Sequence, residues 1–92
     1  MDRQSEIKAT MAALSTQFLH NPGQDDDTIV AKTEQCIAEN FNHPSLGAPR
    51  FTPEEVAELQ LAMVGRHGRG KLAKLVQADP GFFLGSAIMR AS

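Results

Sequence analysis

The segment Phe51-Thr52-Pro53-Glu54-Glu55-Val56 carries the most explicit local code in the chain, and it decides the fold class. Thr52 offers the side-chain oxygen of an N-cap. Pro53 stands at the first helical position, where a missing N–H costs nothing, and Glu55 follows three residues after Thr52, within reach of the cap's own amide. Phe51 and Val56 bracket the cap with the spacing of a hydrophobic staple. A helix therefore begins at Pro53, and Val56, Leu59, Leu61, Met63 and Val64 carry it to an expected stop at Gly65.

Toward the N-terminus the same period recurs. Ile7, Met11, Leu14 and Phe18 are spaced by four, three and four, one face of a helix that ends at Asn21-Pro22-Gly23. A second helix is predicted to start at Asp26 or Asp27, with an aspartate accepting first-turn amides, and to run through Ile29, Thr33, Cys36, Ile37, Asn40 and Phe41 to Asn42-His43-Pro44. Residues 44–50 hold two prolines and no periodicity, the pattern of an ordered loop.

Toward the C-terminus, Lys71 to Gln77 reads as a short helix with Leu72, Leu75 and Val76 inward, and Asp79-Pro80 as the start of a last helix through Phe82, Phe83, Leu84, Ile88 and Met89. No segment alternates with period two, and no repeat or low-complexity stretch interrupts the chain. The expected fold is all-α: a compact bundle of four to five short helices forming a single helical domain over residues 1–92.

Composition agrees with a folded chain. Hydrophobic residues make up 41% of the 92, and the seven glycines bring the apolar share into the roughly 45–50% of globular proteins. Net charge is −2, which provides no bulk attraction to nucleic acid or to an anionic membrane. The charge is unevenly placed: residues 1–43 carry three positive and seven negative groups, residues 44–92 six positive and four negative. Cys36 is the only cysteine, so no intrachain disulfide or cysteine-built metal site can form, and no apolar run approaches the ~18 residues of a membrane span. These features predict a cytoplasmic protein with no membrane contact.

The chemical motifs are mostly negative. Gly65-Arg66-His67-Gly68-Arg69-Gly70-Lys71-Leu72 matches seven positions of the phosphate-binding G-x-x-x-x-G-K-[ST] loop, but Leu72 replaces the magnesium-holding hydroxyl and a capped helix, not a strand, precedes it. On the structural reading Gly65 caps the third helix, and Gly68 and Gly70 let the chain turn back. On the functional reading Arg66, His67, Arg69, Lys71 and Lys74 form a cationic binding site beside exposed amides at the start of the next helix. His20, Cys36, His43 and His67 lack metal-ligand spacing. His20 and His43 are expected to meet carbonyls at helix C-termini, and Cys36 to be a small core residue. Asp25-Asp26-Asp27 lacks the spaced oxygens and glycine of a calcium loop and is expected to cap a helix.

No hydrolase, metalloprotease or dinucleotide signature appears, so no catalytic residue, metal or cofactor is expected. Phe82, Phe83, Ile88 and Met89 place apolar side chains on more than one face of a short helix, which predicts a homodimer interface. Together these features predict a non-enzymatic regulator, adaptor or inhibitor that binds a protein partner. A DNA- or RNA-associated regulator, contacting phosphate through Gly65–Lys74, is the second choice.

Overall fold

The computed structural model of the protein describes residues 3–20 and 23–78. Four α-helices follow in order: α1 (Arg3–Leu19), α2 (Asp26–Asn40), α3 (Pro53–His67) and α4 (Lys71–Ala78), with a short 3-10 turn at Pro44–Leu46 between α2 and α3. No strand occurs among the described residues, and the architecture is an all-α bundle of short helices. None of these helices is long and apolar enough to cross a membrane.

The sequence period of α1 becomes its buried face: Ile7, Met11, Leu14 and Phe18 are all inside. From α2 come Ile29, Thr33, Cys36 and Ile37, and from α3 Leu59, Ala62, Met63 and Val64. The apolar side chains among these, with Phe51 and Ala73, form one core, and Val30, Phe41, Val56 and Leu72 pack partly buried against it. Asn40, which recurs with these at helical spacing, is exposed. α3 packs against all three of its neighbours.

The start of α3 follows its sequence closely. Thr52 Oγ1 accepts from the Glu55 N–H at 3.2 Å, and the Thr52 N–H donates to Glu55 Oε1 at 3.0 Å. Arg3 of α1 closes on Glu55 and lies 4.9 Å above the Phe51 ring, so the cap also ties down the beginning of α1. Burial alone would raise the Glu55 pKa, but the Thr52 amide and the Arg3 guanidinium more than offset it and hold the carboxyl below its ordinary value.

The loop between α2 and α3 is ordered by one side chain. Asn42 Oδ1 accepts from the Phe51 N–H and Asn42 Nδ2 donates to the Phe51 carbonyl, both at 3.0 Å. An amide side chain thus pairs with both backbone groups of a residue nine positions away, as a neighbouring strand would. His43 does not meet the last carbonyls of α2. Its Nδ1 accepts from the Ser45 N–H at 3.1 Å and caps the 3-10 turn. His20 is exposed just beyond α1.

Candidate interaction surfaces

The turn from α3 to α4 is where the structure departs most from the sequence reading. α3 runs through Gly65 and ends at His67, with the Gly68 N–H donating to Val64 O at 2.8 Å. Gly65 is inside the helix because Val76 of α4 needs its space: a Cβ there would stand 2.6 Å from Val76 Cγ1. Gly68 and Gly70 are not glycines for the sake of φ, since the only positive-φ glycines among the described residues are Gly23 and Gly47. They are glycines because of Asp26, whose carboxylate would lie 2.4 Å from a Cβ on either one.

Asp26 is the first residue of α2, but it caps α4. Its Oδ1 accepts from the Gly70 N–H at 3.1 Å and its Oδ2 from the Ala73 N–H at 3.2 Å, while Asp25 caps α2 itself by accepting from the Thr28 N–H at 2.7 Å. The aspartate run therefore caps helices as expected, but two different ones. The bond from Thr28 holds the Asp25 carboxyl below its ordinary pKa. Amides that the sequence offered as an open anion site at the start of α4 are thus already taken by a carboxylate of the same chain, 9% exposed.

The five cationic or polar residues singled out in this segment separate into two groups. His67 and Arg69 are engaged within the fold. The His67 ring packs on Phe18 at 5.4 Å between centroids with Nε2 3.1 Å from Ser15 Oγ, and the Arg69 guanidinium donates to the Gly23 carbonyl at 2.8 Å. Burial, and then the charge of Arg66, lower the His67 pKa from its ordinary 6.5. Arg66, Lys71 and Lys74 are exposed. Leu75, expected inward, is 66% exposed, and Ala73 is buried in its place. Ala73 packs closely on the turn: a Cβ on Gly68 would come within 3.1 Å of Ala73 Cβ. The outer face of α4 consequently presents Lys71, Lys74 and Leu75 together.

A second surface has no counterpart in the sequence reading. An open groove of about 530 Å³ lies between α2 and α3, with Ile37, Phe51 and Val56 along it and Pro44, Pro49 and Pro53 at its sides. The Phe41 ring meets Phe51 edge-on, 5.9 Å between centroids, and so fixes the Phe51 ring that helps form the groove. The three prolines were the available signal. In the sequence each reads as punctuation, whereas Asn42 pins the loop of Pro44 and Pro49 to Phe51 so that they form a wall with Pro53 of α3.

Cys36 is buried, as expected, with Asn40 Nδ2 3.4 Å from its sulfur. Among the described residues no group of three or more His, Cys, Asp or Glu side chains could hold a metal ion. The Gly65–Lys71 segment joins two helices and is not fed by a strand, so the phosphate-loop match has no matching backbone. Phe82, Phe83, Ile88 and Met89, singled out as a dimer interface, lie outside the described residues. No protein-family model, curated protein or solved structure matches this chain.

Proposed function

We propose that the protein is a small cytoplasmic adaptor or inhibitor, not an enzyme, that works by stoichiometric binding of an acidic protein surface on the outer face of α4 and the end of α3. One observation carries this reading: Leu75 is 66% exposed on the same face of α4 as exposed Lys71 and Lys74, with Arg66 exposed at the end of the neighbouring helix. An apolar anchor beside cations suits a protein patch with an apolar centre and an acidic flank, because the leucine gains by leaving water and the lysines steer the approach. A nucleic-acid backbone would engage the cations but leave Leu75 unused. Two of the phenylalanines, Phe18 and Phe51, are buried and unavailable for base stacking. The single cysteine, which has no intrachain disulfide partner, supports a reducing compartment.

The test is affinity capture from the native host with the wild type, Leu75→Glu, and a variant with Arg66, Lys71 and Lys74 all changed to Ala. Both variants are expected to lose the partner that the wild type recovers. Binding to unrelated duplex or single-stranded nucleic acid is expected to be weak even near about 50 mM salt. Tight, salt-steep nucleic-acid binding that the triple variant abolishes and Leu75→Glu leaves intact would overturn the reading in favour of phosphate recognition.

A further inference from the structure

The α2–α3 groove has a definite length and a definite chemistry. At one end Gln60 Nε2 of α3 donates to the Val30 carbonyl of α2 at 3.0 Å, and at the other Asn42 holds Phe51 beside the loop that carries Pro44 and Pro49. From Gln60 back to Pro53 the rise along α3 is about 10 Å, two turns of a helix. No backbone N–H along the groove is free. The three prolines have none, and four more of the lining residues stand inside α2 or α3, where amides bond to the turn before. The remaining three, the N–H groups of Asn42, Phe51 and Val56, donate to Ile37 O, Asn42 Oδ1 and Thr52 O. An added strand needs such groups, so an occupant of this groove is held by its side chains, as a helix in a groove is.

Glu34 is the only charged residue lining the groove. It is exposed and makes no ion pair or hydrogen bond among the described residues. Its position explains this: the residues three and four away on α2 are Val30, Ala31, Ile37 and Ala38, none of which can pair with a carboxylate. The Gln60 side-chain amide across the groove is already spent on Val30. An apolar trough two turns long therefore ends beside a carboxylate that the fold leaves without a cation.

We propose that the α2–α3 groove binds an amphipathic helix of a partner protein, seating two large apolar side chains one turn apart and pairing Glu34 with a lysine or arginine one turn further on. The charge of Glu34 selects the cation, and the apolar lining selects the anchors. The groove is open to solvent, so it cannot enclose most of a small molecule's surface as ligand pockets do. A second copy does not supply such a helix. The large apolar side chains exposed among the described residues are Leu19, Leu46 and Leu75, no two of them on one helix. This surface is separate from the outer face of α4, and the inference does not rest on the function proposed above.

The experiment selects binders to the full chain from a displayed library of helical peptides and measures the winning peptides by fluorescence anisotropy. The winners are expected to share two apolar residues one turn apart with a basic residue one turn further on, and to shift the amide signals of Ala38 and Val56. Ala38→Lys places a lysine four residues after Glu34, which supports α2 while filling the groove and neutralising its charge. With helical circular dichroism unchanged, it is expected to weaken binding by about tenfold. Glu34→Gln is expected to weaken binding by about fivefold, the upper range for an exposed ion pair, and to have no effect on the same peptide with glutamine in place of its basic residue. Winners that lack a basic residue, undiminished binding to Ala38→Lys, or a library that yields no binder would each overturn the proposal. Self-association of the wild type in sedimentation that Ala38→Lys abolishes would give the groove to a second copy and overturn it as well.

Discussion

α3 and α4 begin in opposite ways. α3 is started by its own neighbours, Thr52 and Glu55, which exchange hydrogen bonds across three residues. α4 is started by Asp26, whose carboxylate reaches amides 44 and 47 positions along the chain. The chemistry is the same in both, a side-chain oxygen accepting orphan first-turn N–H groups. What differs is whether the acceptor is supplied before or after the bundle assembles. A local cap helps its helix to form, whereas a distant one can act only once α2, α3 and the turn between α3 and α4 have met.

The largest expected effect comes from removing the distant cap. Asp26→Ala strands a buried amide at Ala73 and a partly buried one at Gly70, and is expected to cost about 2–4 kcal/mol. Asp26→Asn, which keeps one acceptor oxygen, should cost about half as much. Urea midpoints of the two variants would check this, and a loss for Asp26→Ala no greater than that of a local-cap variant would erase the contrast.

Gly68→Ala comes next, at about 2 kcal/mol, because the added methyl meets the Asp26 carboxylate and the Val64 carbonyl. The backbone at Gly68, with φ at −84°, accepts alanine freely, so any loss must be steric. An unchanged thermal midpoint would show that Asp26 can withdraw from the turn without penalty.

Thr52→Ala removes the local cap and should cost about 1 kcal/mol, less than the distant cap because the stranded amide is open to water. A cost above that of Asp26→Ala would reverse the comparison.

The smallest effect is expected from acid. The folded state lowers the His67 pKa below 6.5, so the unfolded chain takes up that proton first and stability falls as the pH drops below about 6.5. Glu55 is also held below its ordinary 4.5, so its contribution is present above that pH and is lost as the pH falls through the lower folded value. The joint of α3 with α1 at His67 should therefore weaken before the capping box does. Stability measured from pH 7 to 5 should decline in the wild type and decline less in His67→Gln; identical slopes would remove His67 as the cause.

The same contrast explains what could be read from the letters alone. The four helices, the buried face of α1 and the start of α3 rest on spacings within a few residues, and those the chain states openly. The end of α3 is not legible because Gly65 looks like a stop, whereas it lies inside the helix and admits Val76. Leu75 reads as inward because it is large and apolar, whereas α4 turns Ala73 to the inside and leaves Leu75 exposed. The cationic segment was visible, but its division into engaged His67 and Arg69 and exposed Arg66, Lys71 and Lys74 depends on Phe18, Ser15 and Gly23, all more than 40 residues away. The α2–α3 groove left the faintest trace, since its walls come from prolines that Asn42 gathers into place.

The Asp26 contact also sets an order of events. α4 has eight residues, fewer than the ~12–15 at which an isolated helix becomes even marginally stable in water. Its cap arrives from α2, so the helix gains that support only once α2, α3 and the turn between α3 and α4 have met. Among the described helices α4 is therefore expected to form last during folding and to be lost first when the chain opens. In kinetic terms the φ-value of Asp26 is expected to be near zero: its replacement should leave the refolding rate almost unchanged and accelerate unfolding.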